Sequence, residues 1–253
     1  MTDSALQLSA TPVALLDEGF AGARLRGAGP QPDAVWRAKL RDDDSRVWRA
    51  VAASPEALAG AWVPAKASTG HLAALVSLRP VEVELRVELP DGRAVSRTLT
   101  RRLLADGVKV RRWKDGLVAT LNRPAGEGPW PAVVLDATSG PDAVAVAALA
   151  GALLASRGVL NVAVAPPARP KDGSAADVLA RAGVLLAALP AAGGPPLVVP
   201  VAAPEADVTG GGLVAPVPPG VGVRGAGAGP EAAAARGSAW DALLAAVGAT
   251  PRG

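Results

Sequence analysis

The sequence predicts two folds in series: an all-β sandwich, then a parallel α/β sheet with helices. Three observations carry this reading. Up to about residue 107 short apolar–polar alternating runs are separated by turn residues. After Asp106-Gly107 the apolar runs become short and continuous and alternate with helical stretches. The 253 residues are half apolar and only 19% charged, which suits folded domains with sizeable cores. The boundary is placed at 107/108, giving domains over 1–107 and 108–253.

Each element follows from its local pattern. Val35 to Leu40 and Val47 to Val51 flank the acidic turn Asp42-Asp43-Asp44-Ser45 and form a hairpin. Three adjacent Asp lack the spaced ligands and closing Glu of a calcium loop, so a solvated turn is expected. Val81 to Leu89 alternates apolar and charged side chains, as a half-buried strand must when successive residues point to opposite faces. Pro90-Asp91-Gly92 turns it back into Ala94 to Leu99. Several short strands at this spacing argue for a sandwich.

In the second part, Lys109 to Asn122 reads as hairpin-like, and Ala132 to Leu135 as a buried parallel strand. Gly140-Pro141-Asp142 opens a helix, with Pro at the first helical position and Asp at the positive end of the dipole. Arg157-Gly158 closes it. Val162 to Ala165 is the next strand, Ala175 to Leu189 a helix, and Leu197 to Val199 a third buried strand. That alternation marks a parallel sheet. Thr209 to Gly229 is dense in Gly and Pro, with room for one short strand, Leu213 to Val217. Glu231 to Val247 is the last helix.

Composition excludes several chemistries. With no Cys there is no thiolate nucleophile, disulfide or cysteine-held metal, and a single histidine, His71, leaves no histidine metal site. Neither a metal nor a cofactor is expected. The first twenty residues lack the pattern of a secretory signal, and Ala143 to Ala155 is too short to span a bilayer, so the expected location is cytoplasmic, with no membrane partner. The basic run Arg97, Arg101, Arg102, Lys109, Arg111, Arg112 and Lys114 alternates with apolar residues and lacks interleaved aromatics. It is read as a solvated strand face or linker, not a nucleic-acid surface.

Three stretches resemble one family. Leu16-Asp17-Glu18, Arg24 to Gly27 and the Arg41-Asp42-Asp43 turn before Val47-Trp48 are similar to the amino-terminal domain of acyl-CoA thioesterases and bile acid-CoA:amino acid N-acyltransferases. Gly116 to Pro124, Gly128 to Leu135 and Leu153 to Gly158 resemble the entry into that family's α/β-hydrolase domain. Glu231 to Arg236 with Ala239 to Leu244 resembles its closing helix. The resemblance implies an immunoglobulin-like sandwich followed by an α/β-hydrolase-like domain.

The same resemblance implies that the chemistry is gone. An α/β-hydrolase carries its nucleophile in Gly-x-Ser-x-Gly, or with Cys, directly after a strand. Here that stretch is Pro200-Val201-Ala202-Ala203-Pro204, with Ala202 at the nucleophile position and prolines where the glycines belong. No histidine follows His71, and Glu205 to Glu231 is too short for the remaining strands and catalytic loops. The domain reads as truncated, and the covalent route has no means to act.

What is left is a short set of candidates, and no catalytic residue is assigned. Asp136, Glu205 and His71 are the acid–base candidates. His71 reads first as a structural histidine, and Glu205 and Asp207 as solvated loop acids. Asp136, Thr138, Ser139, Ala202 and Glu205 outline a ligand pocket at the carboxyl ends of the strands, where α/β sheets bind ligands. Thr138 or Ser139 alternatively caps the following helix. Trp130 is expected to pack at the domain junction. The expected function is a pseudoenzyme that binds an acyl-type small molecule, or that partners an intact homologous subunit over the exposed sheet edge, as a homo- or hetero-oligomer. The alternatives are a repurposed enzyme of specialised metabolism, doing cyclase- or isomerase-type acid–base chemistry, and, less favoured, an acyl-CoA thioesterase.

Overall fold

The computed structural model describes residues 5–20, 22–27, 33–66, 72–75, 77–113, 117–169, 172–204, 213–221, 223 and 230–249. The chain forms two compact units: Met1–Arg102 with Pro219–Ala234, and Leu103–Pro218 with Ala235–Arg252. This differs from a single cut at 107/108. The first unit ends earlier, and a Gly/Pro-rich segment returns to it. That return is fixed by a bridge between Leu72 and Val223. It is also fixed by Gly220, at φ +86°, where any Cβ would run into the carbonyl oxygen of Leu16.

The first unit holds β1 (Gln7–Ser9), β2 (Val13–Leu15), β3 (Arg24–Arg26), β4 (Val35–Arg41), β5 (Val47–Ala52), α1 (Pro55–Leu58), β6 (Val63–Pro64), β7 (Val81–Glu88) and β8 (Ala94–Arg102). A six-stranded sheet runs β2-β8-β7-β4-β5-β6, and β1 pairs with β3 in a separate ribbon. Both predicted hairpins are present, as β4–β5 and β7–β8. The alternation of β7 buries Val81, Val83, Leu85 and Val87 and turns Glu82, Glu84 and Arg86 outward.

Asp43, Asp44 and Ser45 of the acidic turn are exposed, as expected of a solvated turn, but Asp42 is not. Asp42 is only 6% exposed. Its Oδ1 accepts from the backbone N–H groups of Asp44 (3.1 Å) and Arg46 (2.8 Å), and its Oδ2 from Trp48 Nε1 (2.9 Å) and the Ala74 N–H (3.2 Å). Asp43 binds the Ser77 N–H and hydroxyl. The turn is a polar hub that ties β4, β5 and the chain near residue 74 together, with the fully buried Trp48 as its apolar half. Arg101, from the basic run, is also buried. It donates to the carbonyls of Gly19 and Thr11 and lies 5.4 Å over the Phe20 ring. Burial pulls its guanidinium below the ordinary arginine value, partly offset by Glu18.

The second unit holds β9 (Lys109–Trp113), β10 (Ala119–Arg123), β11 (Ala132–Asp136), α2 (Pro141–Ser156), β12 (Leu160–Val164), α3 (Ala175–Ala187) and β13 (Leu197–Pro200). α4 (Pro230–Ala246) is divided between the units after Ala234. The sheet order is β13-β11-β12-β10-β9. β11 is parallel to β12 and β13, while β10 runs against both its neighbours. The predicted strands and helices stand within a few residues of their expected bounds, except Leu213 to Val217. There the chain makes only a single parallel bridge, Val201 to Ala215.

α2 and α3 cover opposite faces. Val178, Ala182 and Leu186 of α3 pack on Ala132, Val134, Leu160 and Val162. On the other face Asn161 Nδ2 donates to the Gly151 carbonyl of α2 (2.9 Å) and Asn161 Oδ1 accepts from Asn122 Nδ2 (2.8 Å). A Cβ on Gly151 would lie 2.7 Å from Asn161 Oδ1, so glycine lets the helix settle onto this amide pair. α2 begins at Gly140 and Pro141 and ends at Arg157 and Gly158 (φ +85°), as expected. Among the described residues no helix is long and apolar enough to cross a membrane.

Candidate functional site

The carboxyl ends of β11, β12 and β13 gather the described candidates. Asp136 is the last residue of β11 and pairs in register with Val164 of β12 and Pro200 of β13. Its backbone carbonyl accepts from the Val201 N–H at 3.0 Å, which brings Asp136 and the approach to Ala202 side by side. Its carboxylate closes its own turn: Oδ1 accepts from the Thr138 N–H (2.9 Å) and the Thr138 hydroxyl (2.6 Å). Thr138 is half-buried and Ser139 exposed. Neither caps α2, correcting that expectation: Gly140 occupies the cap position without a side-chain hydrogen bond. The Thr138 hydroxyl is instead committed to Asp136.

β13 does not turn into a helix within the described residues. It runs on through Val201, and the Ala202 N–H donates to the Ala215 carbonyl (3.0 Å) while the Ala215 N–H donates to the Pro200 carbonyl (2.9 Å). A nucleophile elbow needs a sharp strand-to-helix turn; here the backbone is tied into an extended bridge, and Ala202 offers a methyl group. The same bridge covers part of the sheet edge that was expected to be bare. β13 is not the buried strand expected: it is an edge strand on which Leu197 and Val198 are exposed and only Val199 is buried. His71, Glu205 and Asp207 lie outside the described residues, so the structure does not join them to Asp136. Trp130 lies in the core of the second unit, with Arg123 5.3 Å over its ring.

Beside these residues is a hollow that the sequence did not announce. It has a volume of about 560 Å³ and is lined by Ala137, Val144, Ala147, Ala148, Ala163 and Ala165 among others, with Arg112 and Thr120 as its polar members. Arg112 and Thr120 are direct cross-strand partners on β9 and β10. The hollow therefore lies on the α2 face, at the carboxyl end of the parallel strands, with Ala137 of the Asp136 turn in its wall. Small side chains on α2 and β12 leave the space. Their abundance was visible in the sequence, but which of them share one wall depends on helix phase and strand register.

Among the described residues the one hydroxyl bonded to a carboxylate here is that of Thr138, and it closes the Asp136 turn. Asp136 is the one described acid–base candidate, and its Oδ1 already holds two bonds. The hollow can instead take an apolar chain with a polar or anionic end at Arg112. No family model matches the chain, and no curated protein matches it significantly.

Proposed function

We propose that the chain is a non-hydrolytic relative of the acyl-CoA thioesterases and bile acid-CoA:amino acid N-acyltransferases, and that it binds acyl chains in the hollow between α2 and β10. Its first unit is then the immunoglobulin-like domain and its second a shortened α/β-hydrolase-like sheet. The strand order supports the second assignment: a reversed second strand, then strands in the order second-fourth-third-fifth, is how such a sheet begins. The hollow carries the functional reading. It is mostly apolar, it lies where α/β sheets present ligands, and no histidine or carboxylate is among its described lining residues. A carboxylate head group would meet the exposed Arg112. The uncovered Leu197 and Val198 favour, secondarily, a protein partner over β13.

Titration of the full chain with dodecanoate tests the reading. Saturable binding is expected, weakened about tenfold or more by Ala148→Trp, which fills the hollow from the solvent side of α2. Arg112→Gln should weaken dodecanoate but not dodecanol. Absence of saturable binding overturns the acyl reading. Turnover of an acyl-CoA, or a covalent acyl adduct found by mass spectrometry, overturns the non-hydrolytic one.

A further inference from the structure

The basic run of the sequence does not stay together in the fold. Arg101 goes into the core of the first unit, and the pleat of β9 deals the next cations to both faces of the second sheet. Arg112 faces α2. Lys109 and Arg111 face α3, and there they meet a cation from a different part of the chain: Lys109 stands directly opposite Arg123 of β10, and Arg111 opposite Leu121. Like charges directly opposite each other destabilise a β ladder.

Nothing in the described chain neutralises them. Neither Lys109 nor Arg111 makes an ion pair with a described residue. Arg123 is held in place by its stacking over Trp130, not by a carboxylate. Glu127 shares the surroundings but pairs with none of the three. The cations border a hollow of about 360 Å³ whose floor is Leu121, Leu160 and Leu189. It lies on the α3 face, the side of the sheet away from the acyl hollow, so the two cannot be one site.

We infer that this second hollow binds a small soluble phosphomonoester, its phosphate between Lys109, Arg111 and Arg123 and its apolar part on the leucine floor. Convergence of three cations suits a doubly charged oxyanion, and arginine pairs with phosphate through two parallel N–H bonds. The volume is at the small end of ligand sites, which span roughly 300–1,000 Å³. The inference stands apart from the acyl reading, and either can fail alone.

The Trp130 indole N–H resonance, beneath Arg123, is the reporter. The full chain is titrated with inorganic phosphate and with phenyl phosphate at constant ionic strength. Both should shift the resonance saturably, with phenyl phosphate tighter by about threefold or more because it also covers the leucines. The double variant Lys109→Gln/Arg111→Gln, at exposed positions, should weaken both probes about tenfold or more and keep the resonance dispersion of the folded chain. Arg111→Lys alone should lose less than Arg111→Gln. Absence of saturation, equal affinity in the double variant, or a response to phosphatidate vesicles but to neither soluble probe would overturn the assignment.

Discussion

The two sheets handle charge in opposite ways, although both are built from the same alternation. In the first sheet Arg37 of β4 stands directly opposite Arg86 of β7, a like-charge pair of the kind found at Lys109 and Arg123. There Glu88 resolves it, with Oε2 bonded to Arg37 Nε (2.8 Å) and Oε1 to Arg86 Nε (2.9 Å), while Lys39 pairs with Glu84 one step along. On that face Arg49, directly opposite Lys39, has no such partner among the described residues and lines a hollow of about 280 Å³. The second sheet leaves its cations unanswered and sets them around a hollow. Underneath, the sheets are alike: each hides a polar hub, Asp42 in the first and the Asn122–Asn161 pair in the second. What differs is the carboxylate between the facing cations: Glu88 bridges Arg37 and Arg86 in the first sheet, and no described residue bridges Lys109 and Arg123 in the second.

The hubs should respond most strongly. Asp42→Ala leaves the Trp48 indole N–H and the backbone N–H groups of Arg46 and Ala74 without their acceptor. A cost of at least about 3 kcal/mol is expected, since each buried orphan donor costs about 1–3 kcal/mol. Asn161→Ala orphans Asn122 Nδ2 and removes the second bond of the Gly151 carbonyl, and should cost somewhat less, about 2 kcal/mol. Urea unfolding, followed separately by amide exchange in β7 and in β12, assigns each loss to its own unit. If both substitutions weakened both sets of amides equally, the hubs would not be local and the comparison between the sheets would fail.

A charge reversal on the outer faces tests the contrast itself. Lys109→Glu gives Arg123 an opposite partner and should stabilise the second unit by a few tenths to about 1 kcal/mol, whereas Glu88→Lys removes the carboxylate between Arg37 and Arg86 and should destabilise the first. Both effects should shrink with added salt, because the groups are exposed. Thermal melts at low and high ionic strength give the sign directly. The same sign for both variants would show that the second face is already balanced, and would also weaken the case for an anion there.

These groupings mark the limit of what the sequence made legible. Strands such as Val81 to Glu88 and helices such as Pro141 to Ser156 are written in local periodicity and punctuation, and they stand near where they were predicted. Asp42 was misread because three adjacent acids look solvated; the usable signal was Trp48, six residues on and across the hairpin, whose indole N–H needs an acceptor when buried. That Ala202 carries no nucleophilic atom was plain in the sequence, because a residue type needs no register. The two hollows were not, since Arg112 with Thr120, and Lys109 with Arg123, become neighbours only through the β9–β10 pairing. The return of Pro219–Ala234 to the first unit was hidden for a related reason: a Gly/Pro-rich stretch carries no period from which to infer what it packs on.

The smallest effect distinguishes the faces by titration. The hydrogen bond from Arg37, then that from Arg86, holds the Glu88 carboxyl below its ordinary 4.5. A carboxylate whose pKa is lower folded than unfolded contributes stability that is fully present above the unfolded value and is lost as pH falls through the folded one. The clamp should thus be intact at neutral pH and fade only in acid, below about 4.5, and to a small extent because the pair is exposed. Carbon-detected NMR titration of the Glu88 side chain should give a midpoint under 4.5, and Arg37→Gln should move it back up. Among the described residues Lys109, Arg111 and Arg123 bond to no carboxylate, so the Trp130 indole resonance beneath Arg123 should stay still through the same acid range in the absence of phosphate. If it moved with an acidic midpoint, a carboxylate such as Glu127 would be answering Lys109 and Arg123 after all, as Glu88 answers Arg37 and Arg86.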